Sequence, residues 1–155
     1  MKIFLINKGH GGMVNGKYVT APDKMYSHDN GINIYEGVIN RVIGDKIIHK
    51  IHNLGLRYVD ICATNMDLPL YMRLEIINVY CNKYGKTNCL LIDIHSNAGG
   101  GTGFEIWTSP GETESDIYAE KYFKLFKSTF PYIATRSGKT DKNNGPDKEA
   151  LFTLI

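Results

Sequence analysis

Two histidines and one glutamate are the residues of this chain whose types and spacing could bind a metal ion. His10 follows the first apolar run, His95 ends the strongest apolar run, and Glu36 opens a helical pattern. Two imidazoles and one carboxylate are the usual ligand shell of a hydrolytic zinc site, which keeps a fourth position open for water. Zinc held in such a shell lowers the pKa of water toward neutrality and polarises a carbonyl oxygen.

The elements that must position these residues alternate between strands and helices. Short apolar runs predict strands over residues 2–7, 57–63, 89–95 and 103–108. One-sided apolar spacing predicts helices over residues 36–54, 70–84 and 114–129. Strands separated by helices predict an α/β fold, with a mostly parallel sheet flanked by helices in a single-domain sandwich. Ligands collect at the carboxyl ends of such strands, which is where His10 and His95 lie.

Length and composition place the chain among globular proteins. It has 155 residues, 43% of them apolar, and a formal net charge of +2. The near-balanced charge gives no reason to expect nucleic acid or an anionic membrane surface as a partner. No apolar run approaches the roughly 18 residues that a membrane span requires. We therefore expect a soluble domain with neither a nucleic-acid nor a membrane partner.

The beginning of the sequence and its cysteines bear on where the chain is made. The apolar run over residues 1–6 is too short for a signal peptide, so we expect synthesis in the cytoplasm without an export signal of its own. The three cysteines are widely spaced and odd in number, which predicts reduced thiols rather than a disulfide framework or a zinc–thiolate cluster. Cys62 and Cys89 lie in apolar runs, so both are predicted to be buried and inert.

Four short motifs follow one another along the chain. They are Lys8-Gly9-His10-Gly11-Gly12, then Glu36 with Asn40, then Leu70-Tyr71-Met72-Arg73 with Asn78, and finally Ile94-His95-Ser96-Asn97-Ala98. In this order they resemble the zinc-dependent N-acetylmuramoyl-L-alanine amidases, the type-3 amidase family of bacterial autolysins and phage endolysins. The resemblance covers nearly the whole chain, from Lys2 to the last residues.

The resemblance implies a function and a role for each ligand. Carried over residue by residue, His10, Glu36 and His95 are the three zinc ligands, and the fold is a twisted, mainly parallel sheet flanked by helices. The implied reaction is hydrolysis of the amide between the lactyl group of N-acetylmuramic acid and L-alanine, so peptidoglycan is the implied partner. Because no export signal is found, we expect a phage or prophage lysin that acts on the cell wall. We expect a monomer, since no coiled-coil or partner-helix pattern is present.

Four further residues are expected near the ligands, either supporting them or touching substrate: Asp93, Asn97, Asn40 and Arg73. Asp93 departs from the family, which usually has a small residue two positions before its second histidine. Residues two apart in a strand share a face, so Asp93 could orient the His95 imidazole. It could equally pair with a nearby cation, and the sequence leaves both interpretations open.

A second departure concerns the general base. The family uses a glutamate on a late strand, in a motif like Val-Leu-Val-Glu followed by Gly-Phe, and no such motif occurs here. We therefore expect that residues 1–155 form an amidase domain that lacks its last strand and helix, with the base beyond Ile155. Neither Glu105 nor Glu149 is expected to replace it. Such a chain should bind zinc but hydrolyse poorly, since losing a general base costs about 10²–10⁴-fold in rate.

Other functions and other residues remain open from the sequence. A related zinc peptidase could use the same ligand shell. A zinc-bound peptidoglycan-binding module without activity, or a globular domain with no metal, belongs to a different class. His49 and His52 are best interpreted as the solvated edge of a helix, and His28 is undecided. Tyr26 and Tyr35 are the aromatic residues best placed to touch substrate.

Overall fold

The computed structural model describes residues 2–96 and 102–136, and the backbone of residues 148–149. The chain divides into two compact units, Met1–Ser96 and Asn97–Ile155. In the first unit the strands are β1 (Ile3–Asn7), β2 (Met13–Val14), β3 (Lys17–Tyr18), β4 (Met25–Ser27), β5 (Asn33–Tyr35), β6 (Arg57–Asp60) and β7 (Cys89–Asp93). Its two α-helices are α1 (Glu36–Asn53) and α2 (Leu70–Tyr84).

The centre of the first unit is a parallel sheet of three strands. Its order is β6-β1-β7, so that β1 is paired on both sides. Leu5 and Ile6 of β1 are fully buried, as expected for a central parallel strand covered on both faces. Ile61 and Cys62, which follow β6 directly, complete this core. A parallel sheet with flanking helices confirms the α/β prediction.

The helix α1 forms where its spacing predicted it, but it buries a different face. Its buried residues in the first half are Gly37, Asn40, Arg41 and Gly44. The apolar residues Ile39, Val42 and Ile43, which belong to the apolar spacing that predicted this helix, are exposed. The reason is that small and polar residues on the other face allow the helix to approach the backbone and side chains of the loop that follows β1.

The helix α2 also matches its predicted range. It begins after Pro69, and it ends at Gly85. Proline lacks a backbone N–H and disfavours helical conformation in the residue before it, so the helix does not extend toward the N-terminus. Gly85 has a φ of +86°, a conformation that favours glycine. Arg73 and Ile77 are its buried residues, so one polar side chain from this helix enters the core.

The long polar stretch between β1 and α1 forms two small antiparallel hairpins. The first pairs β2 with β3, and the second pairs β4 with β5. Tyr35 packs against Tyr18, with ring centroids 4.7 Å apart. Tyr26 is exposed and contacts the His28 ring edge-on at 4.6 Å. Because β5 ends at Tyr35 and α1 begins at the next residue, the second hairpin leads directly into the first turn of α1.

The second unit contains α3 (Glu114–Thr129) and a parallel pair of short strands, β8 (Trp107–Thr108) and β9 (Lys148–Glu149). Thr113 and Asp116 form a capping box at the start of α3. The prediction of one strand over residues 103–108 is wrong in extent, because only Trp107–Thr108 is a strand and Phe104 makes an isolated bridge with Thr135. Phe104 instead stacks on Phe126 of α3, with centroids 3.8 Å apart.

Within residues 2–96 and 102–136, no helix combines the length and the apolar character needed to cross a bilayer. The three cysteines are free thiols. Cys62 is buried as predicted, whereas Cys89 is only half-buried.

Candidate metal centre

Three elements of the first unit bring the candidate ligands together at the carboxyl ends of neighbouring strands. His10 lies three residues beyond the end of β1, and His95 lies two residues beyond the end of β7. Glu36 is the first residue of α1. Because β1 and β7 are adjacent and parallel, their following loops must emerge at the same edge of the sheet. A carboxylate at a helix N-terminus is also electrostatically favourable, which suits Glu36 to this place.

Two glycines permit the close approach of these elements. A Cβ atom on Gly37 would lie 1.8 Å from the carbonyl oxygen of Gly11, so the first turn of α1 packs directly on the loop that carries His10. Gly9 has a φ of +64°, and a Cβ there would lie 2.5 Å from Nδ2 of Asn40. Gly37 is therefore needed for the close approach of α1, and Gly9 for both its backbone conformation and the space beside Asn40.

The three candidate ligands contact one another. Glu36 Oε1 lies 3.1 Å from Nδ1 of His95 and 3.6 Å from Nε2 of His10. The two imidazole rings meet edge-on, with centroids 5.0 Å apart. One ligand atom from each residue lies within 4.8 Å of the other two, so the three side chains are positioned to hold a metal ion. Two nitrogens and a carboxylate oxygen are the donor set expected for a borderline transition metal.

Glu36 is stabilised as a carboxylate. Burial alone would raise its pKa, but hydrogen bonds from the His95 ring and from the Ser96 backbone N–H outweigh burial and hold the pKa at about 2. Asn40 Nδ2 lies 3.5 Å from the same oxygen. The Oδ1 atom of Asn40 is buried and has no hydrogen-bond partner among the described residues. The carboxylate is thus ionised at neutral pH, as a metal ligand must be.

The two histidines differ in their protonation. Burial lowers the pKa of His10, against the attraction of the Glu36 carboxylate, so this ring is neutral at pH 7. Hydrogen bonds to Asp93 and to Glu36 raise the pKa of His95 to about 9, although burial opposes them. Since a metal ion binds the unprotonated nitrogen, His95 must release a proton when it becomes a ligand.

Asp93 supports His95 from the side opposite Glu36. Its Oδ1 lies 3.2 Å from Nε2 of His95, while Nδ1 of the same ring faces Glu36. The structure therefore places Asp93 beside the imidazole, which is one of the two interpretations that the sequence left open. A carboxylate on the non-coordinating nitrogen is a common arrangement around histidine ligands, since it fixes the tautomer and orientation of the ring.

Arg73 does not touch the candidate ligands. Its guanidinium donates to the Leu68 carbonyl and to Asp67 Oδ1, each at 2.8 Å. A third contact, at 3.4 Å, reaches Oδ1 of Asn7. Asn7 in turn donates to Asp93. The structure therefore brings Asp93 and Asn40 to the ligands and puts Arg73 behind them, whereas Asn97 lies outside the described residues.

Sequence reasoning missed two buried residues around the centre. Arg41 donates to the carbonyl oxygen of His10 and, at 2.7 Å, to that of Thr64, so it fixes the loop that carries the first histidine. Asn7 lies behind Asp93. An arginine on the glycine-bearing face of α1 and an asparagine at the end of a buried strand are the sequence signals that could have drawn attention to them.

His49, His52 and Glu105 each contact residues other than the three ligands. His49 contacts Asn53 on the same helix, and the His52 ring lies 6.2 Å from that of Tyr58. Glu105, in the second unit, pairs with Arg136 at 3.4 Å. His49 and His52 are both exposed, in agreement with their interpretation as the solvated edge of a helix.

No protein-family model, curated protein or solved structure shows a significant match to this chain. A function for the chain has to be argued from its own residues.

Proposed function

We propose that this chain is a zinc-dependent hydrolase of peptidoglycan, an N-acetylmuramoyl-L-alanine amidase that acts on the cell wall as a phage or prophage lysin. The observation that carries the proposal is the convergence of His10, Glu36 and His95 from three separate elements. The motifs that contain these residues are also the ones that resemble the type-3 amidase family.

The donor set favours zinc over the common alkaline-earth cations. Calcium and magnesium prefer shells made of oxygen atoms, whereas two imidazole nitrogens and one carboxylate suit zinc. When bound by this set, zinc supplies a Lewis acid for a carbonyl oxygen and a water of lowered pKa. Two of the three ligands already have the form that a metal ion needs at pH 7, since Glu36 is ionised and the pKa of His10 is lowered, whereas His95 has to release a proton.

The three candidate ligands differ in their exposure to solvent. The side chains of Glu36 and His10 are 13% and 19% exposed, whereas that of His95 is 43% exposed. We expect a substrate amide to approach past His95, the most exposed of the three. We assign the role of general base to none of the described residues.

The test is hydrolysis of purified peptidoglycan by the zinc-loaded chain. We expect new free amino termini of L-alanine, detected by labelling and mass spectrometry, to accumulate slowly because the family's base motif is absent from this sequence. The site variant is His10→Ala, and the matched control is His49→Ala, which removes an exposed histidine outside the centre. Product should form with the native chain and the control, and not with His10→Ala.

Each other outcome points to a different function. Free amino termini of other residues would replace the amidase with a zinc peptidase. Binding to cell walls without any released product, even after prolonged incubation, would favour a peptidoglycan-binding module. A zinc content near zero by elemental analysis would remove the metal from the proposal altogether.

A further inference from the structure

A buried asparagine links the central strand of the sheet to the imidazole of His95. Asn7, the last residue of β1, is fully buried. It is the register partner of Asp93 in β7, and its Nδ2 donates to Oδ1 of Asp93 at 2.7 Å. A side chain from the middle of the sheet thus touches the group that supports one of the candidate ligands.

The orientation of the Asn7 amide is determined by its other neighbours. Its Oδ1 accepts from Sγ of Cys62 at 2.9 Å and lies 3.4 Å from Nη1 of Arg73. A guanidinium has only donors, so it must face the oxygen of the amide and not the NH₂ group. The NH₂ group is therefore the one that faces Asp93.

The orientation continues from Asp93 to the ring of His95. The same Oδ1 that accepts from Asn7 lies 3.2 Å from Nε2 of His95. Both ring nitrogens face carboxylates that can only accept, Asp93 at Nε2 and Glu36 at Nδ1, which lies 3.1 Å from Glu36 Oε1. A metal ion held by Glu36 would take the place of the proton on Nδ1, so the proton that remains belongs on Nε2, where Asp93 accepts it.

We propose that Asn7 is a positioning residue of the metal centre. Its amide, oriented by Arg73, holds the Asp93 carboxylate on Nε2 of His95 and so reserves Nδ1 for the metal ion. Arg73 acts through Asn7 rather than through contact with substrate. This inference rests on the proposed use of zinc, but not on the identity of the substrate.

A merely structural asparagine would satisfy the same buried groups without affecting the metal. Exchanging the side chains of Asn7 and Asp93 distinguishes a positioning role from a merely structural one. Asn7→Asp keeps an acceptor for Arg73 and Cys62 but places a carboxylate against Asp93. Combining it with Asp93→Asn restores a donor and an acceptor between the strands. The new amide must then turn so that its NH₂ group faces position 7 and its oxygen accepts from Nε2 of His95.

The experiment measures zinc affinity of the full chain by competition with a chromophoric chelator, for the native protein, Asn7→Asp, and the Asn7→Asp/Asp93→Asn pair. We expect about 10- to 100-fold weaker binding in the single variant, the range typical of groups that support histidine ligands. If the single variant binds zinc close to 100-fold more weakly than the native chain, the double variant should bind it at least ten-fold more tightly than the single variant. The control Ile61→Val trims another buried side chain of the same core and should bind zinc as the native chain does.

A second measurement, of the protonation of the His95 ring itself, does not depend on the folding stability of the variant. In ¹⁵N-histidine spectra of the zinc-loaded native chain, we expect His95 to carry its proton on Nε2, with slow exchange, and Asn7→Asp to lose that protection. Binding within three-fold of native in Asn7→Asp, or a zinc-loaded His95 protonated on Nδ1, would overturn the inference while leaving the proposed function intact. Absence of zinc binding by the native chain would overturn both.

Discussion

The imidazole of His95 lies between two carboxylates, and this placement decides how the centre responds to protons. Glu36 contacts Nδ1 and Asp93 contacts Nε2. Both carboxylates stabilise the doubly protonated ring, and the pKa of His95 therefore rises to about 9. Protons and a metal ion therefore compete for Nδ1.

This competition predicts a pH dependence of stability for the chain in the presence of a chelator. The folded state raises the pKa of His95 from 6.5 to about 9. Its contribution is therefore fully present below about pH 6.5 and is lost as the pH rises through 9. Because the side chain is partly exposed, we expect a difference of only about 1 kcal/mol. Urea unfolding of the native chain and of His95→Gln at pH 6 and pH 9.5 measures it.

In that comparison the native chain should lose more stability between the two pH values than His95→Gln does. Equal losses in both proteins would contradict the prediction. The partner carboxylate works in the opposite direction, since the pKa of Glu36 is lowered to about 2. Its contribution is present above about pH 4.5 and is lost only as the pH falls through 2.

At the scale of elements, α1 positions Glu36 because its first turn packs on the loop after β1. A Cβ on Gly37 would overlap the carbonyl oxygen of Gly11, which is backbone and cannot move aside cheaply. We predict that Gly37→Ala lowers the free energy of unfolding by about 1–3 kcal/mol and weakens zinc binding at least ten-fold. Chemical denaturation and the chelator competition assay measure the two effects.

The matched control for Gly37→Ala is Lys46→Ala, an exposed position on the same helix. This control should change stability by less than about 0.5 kcal/mol. A Gly37→Ala protein with native stability and native zinc affinity would show that the close contact between α1 and the loop does not position Glu36.

The elements themselves could be predicted from the sequence, but their contacts could not. Spacing of apolar residues predicted α1 and α2 closely, because the helical period is a local property. The buried face of α1 escaped prediction, because Gly37 and Gly44 are buried by approach to distant atoms rather than by their own hydrophobicity. His10, Glu36 and His95 could be selected because each lies at the end or start of an element. Asn7 could not, because its role depends on the strand that lies beside it.

At the scale of the whole molecule, all three candidate ligands belong to one of the two compact units. A metal ion that binds the folded unit and not the unfolded chain must stabilise it by mass action. We predict that zinc at about 100 times its Kd adds about 2.7 kcal/mol. For a unit of this size that corresponds to a rise in Tm of roughly 10–20 °C. Thermal unfolding with and without zinc, followed by circular dichroism, measures the shift.

The same measurement on Glu36→Ala should show almost no zinc-dependent shift, whereas His49→Ala should behave as the native chain does. A shift of equal size in all three proteins would mean that zinc binds elsewhere.

The pairing of Asn7 with Asp93 across β1 and β7 has a consequence for folding fidelity. A sheet whose strands slip by one residue turns each side chain to the opposite face. In such a misfolded form Asp93 could not meet Asn7, and His95 would lose its support. If zinc binds as we propose, it binds tightly only where the strands are correctly aligned, and it therefore favours the native alignment over the slipped ones. Metal affinity then becomes a sensitive reporter of whether a given molecule of this chain has folded in the right register.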